Sequence, residues 1–324
     1  MACTTLGRMP LPVRIGTRAS TLALTQTGHV ATALAATGAL TVETVHVRTD
    51  GDRLTGSLAT LGGTGVFVTA LRDALLDGRC DVAVHSLKDL PTGPADGLAL
   101  AAVPEREDPR DALCARQGWT LATLPAGARV GTGSPRRAAQ LRAARPDLEV
   151  VDVRGNVDTR LARVGADDLD AVVLARAGLA RLGRLTAITQ TLDVGDMMPA
   201  PGQGALAVET RADDVPAGLA TRLAALDHRP TRLAVTAERA LLLRLEAGCA
   251  APIGALGRVD AAGDRLELDA VVVRPDGSAS VRRSAHAALH GSPADEAVAT
   301  ALGTALAEQL LAAGAADLAG LAAR

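Results

Sequence analysis

A lysine and an aspartate stand side by side in the segment HSLKDLP, at positions 88 and 89. The residues before them, CDVAVHS (80–86), form an apolar run that predicts a strand, so this pair would follow the carboxyl end of the strand. Open α/β sheets bind ligands at that end. Lys88 is also the only lysine among 34 basic residues, which indicates a site where arginine does not serve. A ligand site is one interpretation, and a solvated loop pair, which is the commoner case for such a dipeptide, is the other.

Arginines recur at the predicted strand-to-helix turns of the chain. Guanidinium groups grip carboxylates bidentately, and each charge-assisted hydrogen bond contributes roughly 1.5–3 kcal/mol. If these arginines converge on one cleft, they would hold a strongly anionic ligand, although each is equally compatible with an ordinary surface position. They are Arg18, Arg136, Arg137, Arg154, Arg160 and Arg181.

A cysteine follows a long helical pattern in the segment EAGCAAPIG. Cys249 comes directly after Gly248, which is expected to end the helix, and three residues before Pro252, so it is predicted to lie on a loop. A loop thiol near a cationic cleft would favour the thiolate and covalent chemistry. Most lone cysteines are instead small, inert core residues.

The elements that would position these residues alternate between strands and helices. This rhythm occurs twice and predicts two similar α/β lobes with mostly parallel sheets. In the first lobe it comprises strands at 13–17, 40–47 and 80–86, with helices from about Ser20 and Val66. In the second lobe it comprises strands at 128–132, 148–153 and 170–175, with helices after Ser134, near 157–164 and after 175.

The two lobes open on similar segments, RIGTRAS (14–20) and RVGTGSPRR (129–137). Each runs from a strand through Gly-Thr to a serine at a helix start, which indicates a weak internal repeat. Ser20 and Ser134 are suited to N-capping, and Pro135 is tolerated in a first helical turn. The two helix N-termini would serve as a carboxylate receptor if they faced one cleft, or would be ordinary caps.

The last third of the chain predicts a small α+β domain. A helical pattern from about Thr231 to Leu245 precedes three antiparallel strands at 253–259, 265–273 and 278–289. A final helix would present one apolar face formed by Val298, Leu302, Leu306 and Leu310. In the first lobe, the glycine-rich segment 51–65 predicts either a mobile lid or a plain surface loop.

Composition limits the class of protein. No apolar run approaches the roughly 18 residues of a membrane span, and the N-terminus lacks the apolar core of a secretory signal. The net charge of −2 argues against nucleic-acid binding through a bulk positive field. The 4 cysteines include no CxxC pair, so neither a metal site nor a disulfide framework is expected, and a reducing cytoplasm fits best.

Six motifs together resemble one family, hydroxymethylbilane synthase (porphobilinogen deaminase). They occur in the family's order, cover nearly the whole chain and are far more specific as a set than singly. They are HSLKDLP (85–91), EREDPRDA (105–112), GTGSPRR (131–137), VRGNVDTR (153–160), PAPGQGA (199–205) and TAERALLLRLEAGCAAPIG (236–254).

The resemblance implies an α/β fold with two periplasmic-binding-protein-like (type II) lobes and a small C-terminal α+β domain. Lobe 1 would comprise residues 1–104 and 205–225, lobe 2 residues 105–204, and the C-terminal domain residues 226–324. The implied activity is the stepwise deaminative joining of four porphobilinogen units to a dipyrromethane primer on a cysteine, with release of the linear tetrapyrrole. A cytoplasmic monomer that contacts neither nucleic acid nor membrane is expected.

The resemblance also assigns roles to individual residues. Asp89 would be the catalytic carboxylate, which stabilises the cationic azafulvene formed when ammonia leaves, and Cys249 would hold the dipyrromethane by a thioether. Further cofactor ligands would be Lys88, Ser134, Arg136, Arg137, Arg160 and Asp52. Substrate would contact Arg18, Ser20, Thr132, Arg154, Asn156, Arg181, Phe67 and Gln203. The chain departs from the family at Thr60 and Thr64, where lysines are usual.

Two alternatives remain open on sequence alone. Two such lobes also describe non-catalytic anion receptors, since a fold does not fix a function. A degenerate paralogue that binds porphobilinogen without polymerising it is the other. Cys249 and Asp89 favour the enzyme, because a receptor needs neither a loop thiol nor a carboxylate among arginines.

Overall fold

The computed structural model describes residues 11–38, 40–47, 65–165, 168–246 and 251–320. The chain divides into two compact units. Unit 1 comprises Met1–His85, Pro94–Pro104 and Leu206–His228. Unit 2 comprises Ser86–Gly93, Glu105–Ala205 and Arg229–Arg324.

Strands and helices alternate through most of the described residues. The strands are β1 (Leu11–Thr17), β2 (Leu40–His46), β3 (Val82–Ser86), β4 (Leu98–Ala102), β5 (Asp111–Ala115), β6 (Arg129–Gly131), β7 (Glu149–Val151), β8 (Ala171–Ala175), β9 (Gln190–Thr191), β10 (Leu206–Arg211), β11 (Ile253–Val259), β12 (Arg265–Val273) and β13 (Ser280–Ala288). The helices are α1 (Thr21–Ala36), α2 (Gly65–Leu76), α3 (Pro135–Ala144), α4 (Val157–Leu161), α5 (Arg176–Arg181), α6 (Leu219–Leu226), α7 (Arg229–Arg244), α8 (Asp295–Ala312) and α9 (Ala315–Ala319).

Unit 1 is built on a five-stranded sheet of order β2-β1-β3-β10-β4. Strand β1 is parallel to both β2 and β3, whereas β10 and β4 are antiparallel. Apolar side chains of the sheet, such as Ile15, are buried against Leu34 of α1 and Leu223 of α6. Helix α1 begins as predicted, because the Ser20 Oγ accepts a hydrogen bond from the Ala23 N–H at 3.3 Å.

The second five-stranded sheet lies in unit 2 and has the order β7-β6-β8-β5-β9. Strand β6 is parallel to β7 and β8, and β5 is antiparallel to β8 and β9. In both sheets the first strand of the repeat lies between the second and the third. This shared order agrees with the weak internal repeat that the similar openings indicated. The predicted α/β class with two similar lobes is confirmed.

The C-terminal strands form a separate antiparallel sheet of order β11-β12-β13 within unit 2. Helices α7, α8 and α9 pack on it, and Leu241, Leu268 and Leu306 are fully or almost fully buried in their shared core. The three predicted strands match the observed bounds to within two residues. The predicted apolar face of α8 is also confirmed, since Leu302, Leu306 and Leu310 are buried and Val298 packs beside them.

Several elements differ from the sequence-based expectation. Strands β4 (LALAA) and β5 (DALCA) were not predicted, because alanine and leucine are weak indicators of strand structure. Helix α6 was not predicted, because proline and glycine precede it. Helix α4 ends at Leu161 rather than near residue 164. Helix α7 does not extend to Gly248: it ends at Arg244, and Glu246 then adopts a left-handed conformation with φ 49°.

The proposed lid at 51–65 lies outside the described residues except for Gly65, the first residue of α2. Among the helices of the described ranges, none has the length and apolar character needed to cross a membrane.

Candidate functional site

A short 3-10 turn, Leu87–Asp89, follows directly after β3 and carries the Lys-Asp pair. Leu87 is fully buried and anchors the turn, because its N–H donates to the Ala205 carbonyl at 3.0 Å. The Leu90 N–H then closes the turn on the Leu87 carbonyl at 3.1 Å. Lys88 and Asp89 thus lie just beyond the end of a strand, as predicted.

The Asp89 carboxylate is half-buried and makes no hydrogen bond or ion pair with any other residue in the described part of the chain. The Lys88 ammonium is nevertheless close, because the negative charge of Asp89 acts to raise the pKa of Lys88. The carboxylate is therefore available to a ligand.

Lys88 is partly buried, and its Nζ lies 3.5 Å from the Gln203 Oε1. Loss of solvent lowers the pKa of Lys88 from 10.5 to about 8, with Asp89 opposing this change and Arg137 reinforcing it. An ammonium with one long hydrogen bond to the described residues retains donors for an anion.

A buried carboxylate holds the two arginines that follow Ser134. Asp111 has no solvent exposure and accepts from Arg136 Nη1 at 2.8 Å and Arg137 Nε at 2.9 Å. Burial alone would raise the pKa of Asp111, but the charges and hydrogen bonds of the two guanidinium groups hold it well below its usual range. Burial in turn lowers the pKa of Arg136.

Gln203 is fully buried between this cluster and Lys88. Its Nε2 donates to the Pro109 carbonyl at 2.7 Å and to Asp111 at 2.8 Å, which fixes the orientation of the amide. Its Oε1 therefore faces Lys88 and the Arg137 Nη2, the latter at 3.3 Å. Gln203 was predicted to contact substrate, but within the described residues its amide is bonded to protein on both sides.

The turn around Gln203 depends on two glycines with positive φ, 73° at Gly202 and 88° at Gly204. A Cβ at Gly202 would lie 3.1 Å from the backbone nitrogen of Lys88, so this close approach needs glycine. The turn and the Lys-Asp segment therefore pack backbone to backbone.

A second buried carboxylate attaches helix α7 to the same turn. Glu238 has no solvent exposure and accepts from the Gly202 N–H at 2.6 Å and the Gly257 N–H at 2.8 Å. Arg106 donates to both of its oxygens, at 2.6 and 3.1 Å. This network joins α7 and β11 to the segment that supports Lys88.

Sequence reasoning did not assign roles to Asp111, Arg106 or Glu238, although each lies in a motif that it quoted. A usable signal was present, since Asp111 heads the apolar strand DALCA and Glu238 interrupts an apolar helix face. An acid in such a place needs a cationic partner.

Arg160 supplies positive charge near Arg137. It is half-buried, and its Nε donates to the Gly155 carbonyl at 2.8 Å. Burial and the neighbouring charges of Arg137 and Arg154 lower its pKa. Its terminal nitrogens make no hydrogen bond to any other described residue. Arg154 is exposed and forms an ion pair with Asp152 at 3.4 Å.

Three smaller predicted ligands have local structural roles. Asn156 caps α4 by accepting from the Thr159 N–H at 2.8 Å, and Ser134 caps α3 by accepting from the Arg137 N–H at 3.5 Å. The buried Thr132 Oγ1 accepts from the Ser134 N–H at 3.2 Å.

The predicted position of Arg181 at a strand-to-helix turn is wrong. Helix α5 begins at Arg176 directly after β8, so Arg181 is the last residue of that helix. Its Nη2 donates to the Gly204 carbonyl at 2.7 Å, and burial lowers its pKa.

The position of the remaining predicted residues relative to this cluster stays a prediction. Arg18 and Ser20 belong to unit 1, in the segment between β1 and α1. Phe67 lies in α2, but its side chain is outside the description. Asp52 and Cys249 also lie outside the described residues.

Two family models match the chain. Residues 13–217 match "Porphobilinogen deaminase, dipyromethane cofactor binding domain". Residues 232–312 match "Porphobilinogen deaminase, C-terminal domain".

Curated relatives named porphobilinogen deaminase align over most of the chain. The Micrococcus luteus protein is 57% identical over 316 residues, which cover 88% of this chain and 84% of the relative. The Leifsonia xyli subsp. xyli protein is 58% identical and covers 95% and 94%, respectively. The Thermobifida fusca protein is 56% identical and covers 94% of each.

Solved structures align only weakly. A YaeC-family lipoprotein from Enterococcus faecalis gives a TM-score of 0.39 at 13% identity, over 66% of this chain and 90% of that one. A putative methionine-binding lipoprotein from Bacillus subtilis gives 0.39 at 13% identity, over 66% and 89%. Neither alignment is strong enough to support a conclusion.

Proposed function

Because the chain belongs to the porphobilinogen deaminase family, we propose that Asp89 is the catalytic carboxylate of this hydroxymethylbilane synthase. The enzyme is a transferase of tetrapyrrole biosynthesis. It joins four porphobilinogen units by successive deaminations and releases the linear hydroxymethylbilane. The observation that carries the role of Asp89 is its half-buried carboxylate, which has no partner among the described residues although it lies next to Lys88.

An unpaired carboxylate suits the chemistry of ammonia loss. As ammonia leaves porphobilinogen, positive charge develops on the pyrrole, and a carboxylate near the ring nitrogen stabilises it. One charge pair near 4 Å at an effective dielectric of about 20 contributes about 4 kcal/mol, or roughly a thousandfold in rate. An Asp89 already bonded to an arginine would have to break that bond first.

The cationic side chains around the turn fit a dipyrromethane that carries several carboxylates. Lys88 and Arg160 have donors that the described residues do not use. Arg154 is exposed and close enough to Arg160 for its charge to lower the pKa of Arg160. These three are therefore proposed to bind acetate and propionate groups directly. Dipyrromethane, when bound, supplies the primer to which the first new pyrrole is joined, and Cys249 is its proposed attachment point.

Arg136 and Arg137 have a different balance of contacts. Their guanidinium groups are bonded to Asp111, and Arg136 also donates to the Met198 carbonyl at 2.6 Å. We propose that these two arginines act mainly through their positive charge. Any direct contact with the cofactor would come from guanidinium nitrogens that are not bonded to protein. Direct contacts from the other predicted ligands stay predictions, namely Arg18, Ser20, Asp52, Phe67, Thr132, Ser134, Asn156, Arg181 and Gln203.

Intact-protein mass spectrometry combined with an ammonia-release assay tests this function. The purified chain should carry an added mass equal to two linked pyrroles and should release ammonia from porphobilinogen. A chain without the added mass and without turnover would be a binding protein. A chain that binds porphobilinogen but releases no ammonia would be an inactive paralogue.

The enzyme is further proposed to act as a cytoplasmic monomer without nucleic acid. The buried free thiols of Cys80 and Cys114 fit a reducing compartment. Sedimentation of the purified chain as a dimer at micromolar concentration would contradict the monomer.

A further inference from the structure

The position of Asp89 has to come from its backbone, because its side chain has no protein partner among the described residues. The turn that carries it is held at its start by the Leu87 N–H on the Ala205 carbonyl, at 3.0 Å. Gly202 supports the middle of the turn, since its backbone lies against Leu87 and Lys88.

Arg239 of helix α7 holds the segment that follows Asp89. Arg239 donates from Nη1 to the Leu90 carbonyl at 3.3 Å and from Nη2 to the Pro91 carbonyl at 2.7 Å. Pro91 has no N–H, so the chain cannot continue a regular hydrogen-bond ladder at this point. The guanidinium therefore fixes the two residues that follow Asp89, and it does so from a helix about 150 residues later in the chain.

The helix itself is anchored independently of Arg239. The neighbouring Glu238 bonds the N–H groups of Gly202 and Gly257 and both ends of the Arg106 fork. Apolar residues of α7, including Leu241, are buried in the C-terminal core. Loss of the Arg239 side chain should therefore leave α7 in place and release the segment after Asp89.

We infer that Arg239 is a positioning residue for Asp89: its guanidinium holds the Leu90 and Pro91 carbonyls so that the carboxylate stays aligned with the reacting pyrrole. This inference deepens the proposed function and rests on it. Misplacement of a catalytic group by about 1 Å costs on the order of a hundredfold in rate, whereas carboxylate binding by Lys88, Arg154 and Arg160 would be unaffected. The expected signature is thus a loss in kcat without a comparable change in KM.

The test compares Arg239→Ala, Arg239→Lys and Arg244→Ala as cofactor-loaded full-length enzymes. Arg244 lies on the same helix and pairs with Glu308 at 2.6 Å, away from the turn, so its variant controls for the lost charge on α7. R239A should lower kcat roughly ten- to a hundredfold with KM within about threefold of wild type. R239K should recover most of the rate, because its ammonium should still donate to the Pro91 carbonyl. R244A should match wild type.

Amide hydrogen exchange gives a readout that does not depend on activity. In R239A the Leu90 N–H should exchange faster, while the amides of α7 keep their protection. Turnover of R239A within twofold of wild type, no rescue by R239K, or loss of covalent cofactor from R239A would each overturn the inference. Absence of ammonia release from the wild-type enzyme would instead refute the proposed function, and the exchange comparison would still test Arg239.

Discussion

Arg136 Nη1 lies 2.8 Å from Asp111 Oδ2, and neither residue is more than 4% exposed. Arg137 binds the other oxygen of the same carboxylate at 2.9 Å. One buried acid therefore neutralises part of the charge of two arginines that the motif GTGSPRR presents side by side. The two guanidinium groups are thus held in fixed positions, where their positive charge acts on Lys88.

Removal of the charge at Asp111 should destabilise the fold strongly. Asp111→Asn keeps the shape but leaves two buried guanidinium groups without a counter-charge, which typically costs about 3–5 kcal/mol in free energy of unfolding. Urea unfolding measures this directly. Asp147→Asn is the matched control, since Asp147 also pairs with an arginine, Arg145, at 2.6 Å but is more exposed to solvent. Equal stability of the two variants would contradict a structural role for Asp111.

Asp89→Asn should abolish most turnover while the fold and the covalent cofactor are retained. The amide has a similar shape but no negative charge, so the rate of ammonia release should fall roughly a thousandfold. Single-turnover assays with porphobilinogen, alongside mass spectrometry of the cofactor, measure both quantities. Asp96→Asn provides a control on an exposed aspartate seven residues later. Near-normal activity of D89N would refute the proposed role.

Cys249→Ser should lose the covalent dipyrromethane. An alkoxide is far harder to form than a thiolate, so serine should not replace the thioether. The reaction of dipyrromethane with an acidic aldehyde reagent, which develops colour, reports the cofactor. Cys114→Ala should keep the colour, because Cys114 is buried and its burial raises the pKa of the thiol to about 11. Colour in C249S would require another attachment point.

Gly303→Ala should destabilise the packing of α8 against α7 in unit 2. A Cβ at Gly303 of α8 would overlap the Ala237 carbonyl and crowd Ala240 of α7, so the two helices would have to separate. Overpacking of this kind costs about 1–3 kcal/mol. Gly28→Ala is the control, since Gly28 is an exposed residue of α1 with no neighbour within 4 Å of a new Cβ, and it should instead gain about 0.5–1 kcal/mol. Thermal unfolding of both variants decides the point.

Local signals explain which parts of the structure the sequence predicted. The caps at Ser20 and Ser134 and the three C-terminal strands depend on neighbours along the chain, and their positions agree with the structure. Asp89 was placed at the end of β3 for the same reason.

The contacts around the turn are long-range, and single-sequence patterns do not contain them. Arg137 meets Asp111 across 26 residues, and Arg239 meets Leu90 across 149. The end of α7 was placed at Gly248 by residue type, whereas the helix ends at Arg244 and Glu246 adopts a left-handed conformation. Which arginines face a ligand and which face a buried acid is therefore a tertiary property.

The charge of Lys88 should produce an alkaline limit to the activity. Burial lowers its pKa to about 8, so the ammonium is present below that pH and is lost as the pH rises through it. The kcat/KM for porphobilinogen should therefore fall above about pH 8, because this parameter reports the ionisation of the free enzyme.

The lowered pKa of Lys88 has the opposite effect on the free energy of unfolding, which it increases as the pH rises. Between about pH 8 and the ordinary value of 10.5, the unfolded chain binds more protons at Lys88 than the folded chain, so the contribution of this residue to stability rises with pH. Lys88→Arg keeps its charge throughout this range and should lose the alkaline limb at a lower overall rate. Lys88→Met should bind porphobilinogen weakly at every pH. An alkaline limb that is unchanged in K88R would assign it to another group, such as the amine of the substrate.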